Sequence, residues 1–154
     1  LKIVFDGDYK TQLLIEISAG AGNIIGASFE DLAYFMENLK GYKIGICLDT
    51  AHMFASGYDL RNGEAVEATF DLFDKIVGFK HLKLFHLNDS KIDLGERKDR
   101  HDHIGDGKIG IAGFEALAQD KRLQKFNFNC ETESDKVAED IKIMKKLREK
   151  SHLL

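Results

Sequence analysis

Cysteine is scarce in these 154 residues, proline and tryptophan are absent, and no long apolar run occurs. Two cysteines, Cys47 and Cys130, cannot build a disulfide framework. Each lies in an apolar stretch (IGICLD and FNFNCET), the setting of a buried reduced thiol. That usage fits a reducing, intracellular compartment. The apolar runs are strand-sized, far short of the ~20 residues of a membrane-crossing helix, so no membrane partner is expected. No signal-peptide pattern opens the chain, because LKIVFDGDYK passes from a short apolar start straight into charges. Leu1 rather than Met stands first, as expected of a piece processed or excised from a longer protein. The lack of proline, usually about 5% of residues, is uncommon in a loop-rich chain. Basic charge is not in excess either. Lys and Arg number 22 against 26 Asp and Glu, a net charge of −4, which argues against a simple basic-patch nucleic-acid binder.

What is present is a globular composition, 44% hydrophobic and 31% charged, in a length suited to one domain or part of a larger one. Four apolar runs, at 12–17, 43–49, 82–87 and 126–131, are rich in Ile, Leu and Phe and read as strands buried on both faces. Helical patterns alternate with them. The first starts at Ser28 with Asp31 completing a capping-box pair, and carries Phe29, Leu32, Met36 and Leu39 on one stripe. The second, 64–77, points Ala65, Thr69, Leu72 and Ile76 inward; a shorter one covers 113–119. The last, 135–150, aligns Val137, Ile141, Met144 and Leu147. Its acidic start (Asp135, Glu139, Asp140) and basic end complement the helix dipole and read as a solvated outer face.

Strands alternating with helices mean parallel βα units. About four units are half of a (β/α)8 TIM barrel, which takes ~250 residues. Without a linker, low-complexity tract or repeat, residues 1–154 read as a single half-barrel of the α/β class.

Each strand ends in a metal-type ligand: Glu16, Asp49, His86 and Glu131. A carboxylate within an apolar strand is costly unless something pairs with it. Four such residues at strand C-termini would converge on the face where barrel active sites lie. More ligands follow. Asp49 and His52 are three apart in LDTAH, so a turn after the strand can aim both at one centre. Asp99 and His101, at i and i+2 in an extended loop, share a side. The set is oxygen and imidazole nitrogen without sulfur, which suits Zn²⁺ or Mn²⁺ in an open catalytic site. His81 reads as a surface residue and His152 as part of a frayed tail, while His103 could reach the site but has the plainer reading of lying outside it. Gly20, Gly22 and Gly26 resemble a phosphate-cradling loop only superficially, since no Lys-Ser/Thr follows.

Two segments resemble the endonuclease IV family (AP endonuclease family 2). GICLDTAHMFASGYDL, residues 45–60, is similar to the family's G-x-C-x-D-T-x-H-x4-G-x-D signature. HLNDSKIDLGERKDRH, residues 86–101, is similar to H-x-N-D-[SA]-K-x3-G-x3-D-R-H. The turn after Glu16 resembles E-N-T-A-G-x-G, and Glu131-Thr132 resembles E-T-P. The resemblance implies a trinuclear zinc site in a (β/α)8 barrel. Glu16 would bridge the first and second ions, Asp49, His86 and Glu131 would complete the second, and His52, Asp99 and His101 would hold the third. The first ion's two histidines come from earlier strands that have no counterpart here, so the chain matches the C-terminal half and carries two complete sites of three. Ile17 stands where Asn is usual and Glu133 where Pro is usual, changes that bear on ligand orientation.

The implied activity is hydrolysis of the DNA phosphodiester 5′ to abasic sites in base excision repair, leaving a 3′-hydroxyl and a 5′-deoxyribose phosphate. Glu16 and Glu131 are the implied catalytic pair, Glu131 accepting a proton from the attacking water. Lys91, Arg97 and Lys98 are candidate DNA-phosphate contacts. Arg100 suits either a phosphate contact or a structural ion pair. The implied partners are double-stranded DNA containing abasic sites and the missing N-terminal half, without which incision is expected to be impaired. Two alternatives stand: a xylose-isomerase-like sugar isomerase or epimerase using Glu16, Asp49, His86 and Glu131 alone, or an inactive half-barrel with associating edges. The net charge also reads differently, since two bound Zn²⁺ would take −4 to 0 and three to +2.

Overall fold

The computed structural model describes residues 10–151. Leu1 and His152 lie outside the described residues. Four strands, β1 (Leu13–Glu16), β2 (Ile44–Asp49), β3 (Leu82–Leu87) and β6 (Asn127–Cys130), form one sheet in the order β1-β2-β3-β6. All pairs are parallel, with Glu16 opposite Cys47, Asp49 opposite His86 and Leu87 opposite Cys130. Helices α1 (Phe29–Asn38), α3 (Gly63–Ile76), α4 (Gly110–Gln119) and α5 (Val137–Ser151) form the crossovers and the end of the chain. Four consecutive βα units are present, as the alternation of patterns requires. The short helix α2 (Thr50–Ala55) and the two-residue ladder of β4 (Asp89–Ser90) with β5 (His101–Asp102) lie between them.

Local chemistry accounts for these elements. Ser28 caps α1: Asp31 N donates to Ser28 Oγ (3.1 Å) and Ser28 N to Asp31 Oδ2 (3.4 Å), closing the expected capping box. Asn62 caps α3 by accepting from Ala65 N at 2.9 Å. The core between sheet and helices is dominated by phenylalanine. Phe29, Phe70, Phe73 and Phe85 are fully buried, and Phe85 meets Phe128 edge to face at 5.1 Å between centroids. Each such side chain contributes about 1.5–3 kcal/mol on burial.

The structure corrects several expectations. Burial on both faces holds for β2, every residue of which is buried, but not for β3, where Lys83 is exposed, nor for β1 and β6, whose residues are half-buried or exposed. Those two strands are the sheet's outer members, so each lacks a neighbour on one side. Cys130, on β6, is therefore half-buried, whereas Cys47 on β2 is buried. In α3 the buried face is Val66, Thr69, Phe70 and Phe73, and Leu72 is 42% exposed. The face with two phenylalanines buries more apolar area than the one with Ala65 and Leu72. On α5 Met144 and Leu147 are buried, but Ile141 is exposed and Asp140 is buried rather than solvated. The turn expected after Asp49 is helix α2.

Candidate metal centre

The site forms at the C-terminal ends of the strands. Asp49 closes β2 and caps α2, its Oδ1 accepting from His52 N at 2.9 Å. A cap and the third helical residue lie on the same side of the first turn, which is why the three-residue spacing brings both side chains together. The His52 ring is fixed from the other side, its Nδ1–H donating to the Ile17 carbonyl at 2.9 Å. Ile17 itself is buried in the core. The departure from Asn thus leaves this contact intact, because any residue supplies a backbone carbonyl.

Two side-chain groups converge. Ligand atoms of Glu16, Asp49, His86 and Glu131 lie within 4.8 Å of one another, and so do those of Asp49, His52 and His101. His86 Nδ1 is 2.9 Å from Glu16 Oε1 and 3.0 Å from Glu131 Oε2. Asp99 Oδ1 is 3.3 Å from His52 Nε2 and 3.2 Å from His101 Nε2, and the two Nε2 atoms are 3.3 Å apart. Asp49 belongs to both groups, its Oδ2 lying 3.8 Å from His101 Nε2.

Asp99 and His101 arrive on a loop held in three places. Lys91 N donates to Arg100 O (3.0 Å), extending the β4–β5 ladder. Gly95 N and Arg97 N donate to Phe54 O and Ala55 O (both 3.0 Å), docking the loop on the helix that carries His52. Beneath it, the buried Asp89 carboxylate accepts five backbone N–H bonds. Ser90 (2.8 Å) and Ile109 (2.9 Å) bond Oδ1, while Gly105 (3.0 Å), Gly107 (3.1 Å) and Gly110 (3.1 Å) bond Oδ2. A Cβ on Gly107 would stand 2.5 Å from Ser90 O and 2.6 Å from Asp89 Oδ1, so only glycine lets the backbone come this close.

The electrostatics favour a cation. Burial works to lower the His52 pKa, but the Asp49 and Asp99 carboxylates and the Ile17 carbonyl override it and hold the ring above its ordinary value. Burial raises Asp49 against the pull of His52, His101 and Asn88. The Cys47 thiol, which lies close enough to Glu16 and His86 to form a third group with them, is pushed up to about 12 chiefly by burial, which disfavours the thiolate. With His52 Nδ1–H committed to Ile17, its Nε2 lone pair points at the same region as His101 Nε2 and Asp99 Oδ1. Lone pairs crowded at this distance repel unless a proton or a metal ion lies among them, and the donor set fits a divalent ion.

The family described as xylose isomerase-like TIM barrel matches residues 4–149. The chain belongs to that family. An apurinic-apyrimidinic endonuclease of Caenorhabditis elegans is 45% identical over 133 residues, covering 86% of this chain and 34% of that protein. A probable endonuclease 4 of Chlorobium limicola is 46% identical over 138 residues, covering 88% and 48%. Endonuclease IV of Thermus thermophilus superposes with a TM-score of 0.78 at 35% identity, covering 90% of this chain and 50% of that one. The chain spans half or less of the length of these relatives.

All seven ligand candidates of this xylose isomerase-like chain therefore meet in two adjoining groups. The basic candidates do not. Lys91 Nζ pairs with Glu133 at 3.7 Å and Lys98 Nζ with Glu96 at 3.6 Å, while Arg100 Nη1 donates to the Asp99 carbonyl at 2.7 Å. Arg97 is exposed, at φ 55°. His103 turns away to Asp140 (2.8 Å) and Asp135 (3.2 Å), and His81 is half-buried before β3. Sequence reasoning missed Asn88, which is fully buried beside Asp49 and Glu131. Its Nδ2 donates to Asp49 Oδ2 (2.5 Å) and its Oδ1 accepts from Glu131 N (3.1 Å). The available signal was a polar pair, Asn88-Asp89, directly after an apolar strand. No helix among the described residues is long and apolar enough to cross a membrane.

Proposed function

We propose that this chain is the C-terminal half-barrel of a divalent-cation-dependent endonuclease, one that hydrolyses the DNA phosphodiester 5′ to an abasic site. The observation that supports it best is the second ligand group, in which Asp49 is joined by His52, Asp99 and His101. A sugar isomerase or epimerase on the same barrel needs Glu16, Asp49, His86 and Glu131 alone. The coverage of relatives at half their length or less supports a partner half elsewhere in the protein.

Bound divalent ions, Zn²⁺ by preference and Mn²⁺ as an alternative, would supply charge neutralisation at the phosphate and acidify the attacking water. The chain's own residues prepare that chemistry. Glu16, Asp49, His86 and Glu131 would hold one ion, and His52, Asp99 and His101 another. Glu131, its side chain 46% exposed and steadied by His86 at 3.0 Å, is open to accept a proton from water. Of a third site this chain offers Glu16, so two ions per chain are expected. Lys91, Arg97, Lys98 and Arg100 line an exposed loop beside the site and would contact DNA phosphates. An abasic nucleotide has little stacking to lose and flips out cheaply. The two thiols fit a reducing intracellular compartment.

The test is incubation of the purified full-length protein with an abasic duplex and with ketoses, each with and without chelator. Chelator-sensitive incision 5′ to the abasic site is expected. Turnover of the sugars alone would overturn the assignment in favour of isomerisation.

A further inference from the structure

Asp140 is an acidic residue with no place in either ligand group, yet it is 2% exposed. It sits on α5, early in the helix, where an acidic side chain ordinarily faces water near the positive end of the dipole. Instead it points inward and its carboxylate hydrogen-bonds to two loops. Thr132 Oγ1 donates to Oδ2 at 2.5 Å, His103 Nδ1–H donates to the same oxygen at 2.8 Å, and Ile104 N donates to Oδ1 at 3.0 Å.

Those loops adjoin Glu131 on one side and the Asp99–His101 segment on the other. Thr132 immediately follows Glu131, and His103 and Ile104 follow His101. Glu131 comes from the end of β6, whereas Asp99 and His101 come from the 91–100 loop and β5, so no shared strand or helix fixes their separation. Each segment is also tied to the Asn88-Asp89 pair that follows β3, Glu131 N donating to Asn88 and Gly105 N to Asp89, while Asp140 grips both from the helix side. Asp140 is the carboxylate that bonds both at once. A buried carboxylate with three donors is expensive to assemble and is stable only while the donors stay in register.

We propose that Asp140 is a positioning residue that sets the spacing between Glu131 and the Asp99/His101 segment, and through it the cation affinity of both ligand groups. This rests on the divalent-cation reading above. Outer partners that orient ligands typically govern affinity by about 10–100-fold.

The experiment measures Zn²⁺ affinity by competition with a chromophoric chelator, and the visible spectrum of the Co²⁺-loaded protein, in D140N, T132V and T132S. Thr132 is half-exposed in a loop, so T132V tests the link without removing a buried charge. A far-ultraviolet circular dichroism spectrum equal to that of the unsubstituted protein shows that each variant is folded. D140N and T132V are expected to bind Zn²⁺ about 10-fold or more weakly, with an altered Co²⁺ spectrum, and T132S, which restores the hydroxyl, to bind within about 3-fold of the unsubstituted protein. Folded D140N and T132V with unchanged Zn²⁺ affinity and Co²⁺ spectrum would overturn the inference while leaving the metal reading in place. Should the unsubstituted protein bind neither ion, both fall together.

Discussion

Replacing Asp89 by alanine removes the buried carboxylate that gathers the backbone beside the site. Its carboxylate accepts five backbone N–H bonds of 2.8–3.1 Å. Three of the donors belong to Gly105, Gly107 and Gly110, which are half-buried and can turn to water once the carboxylate is gone. The other two, on Ser90 at 1% exposure and Ile109 at 3%, cannot. A buried donor left unsatisfied costs about 1–3 kcal/mol, so D89A is expected to lower stability by about 2–6 kcal/mol. With a urea slope near 2 kcal/mol per molar, the unfolding midpoint moves down by about 1–3 M. Asparagine does not rescue. Both carboxylate oxygens are used, so whichever way the amide is turned, its NH2 group faces at least two donors. D89N is therefore expected to fall within the same range. Urea unfolding followed by circular dichroism reads both variants. A loss below about 1 kcal/mol in D89A, or a neutral D89N, would refute the argument that this carboxylate satisfies the turn.

Elemental analysis of the purified chain is expected to find about two zinc ions, from two complete ligand groups of at least three residues each; H101A should remove one and leave the other. F73A is expected to cost about 3–5 kcal/mol, since Phe73 is fully buried, whereas L72A on the exposed face of α3 should stay within about 1 kcal/mol, both read by urea midpoint. Burial works to raise the Asp140 carboxyl, but Thr132, His103 and Ile104 together hold it below its ordinary value. A depressed carboxylate contributes stability above its unfolded pKa, ~3.9, and loses it as pH falls through the folded value. The gap in urea midpoint between the unsubstituted protein and D140N should accordingly be full at pH 6 and narrow toward pH 3; a gap that widens on acidification would contradict the sign.

Much of the centre could be read along the chain because ligand chemistry is local. Glu16, Asp49, His86 and Glu131 each interrupt or end an apolar run, a placement whose cost announces a partner. Asp49 with His52, and Asp99 with His101, lie at spacings that one turn or one extended dipeptide brings to the same side. The capping box of Ser28 and Asp31 was legible for the same reason. The residues that hold the ligands in place were not. Asn88 bonds to Glu131 across 43 residues, and Asp140 reaches His103 across 37. No spacing rule connects such positions.

The sequence by itself determined the order of the main strands and helices, and the carboxylate and imidazole side chains at the strand ends, since these depend on periodicity and on the chemistry of individual side chains. Only the tertiary structure decided which face of α3 is buried, that Asp140 points inward, and that Lys91 pairs with Glu133. Those outcomes depend on comparing whole surfaces and distant partners, and a buried polar group goes where its donors are, whatever dipole or periodicity its own helix would prefer.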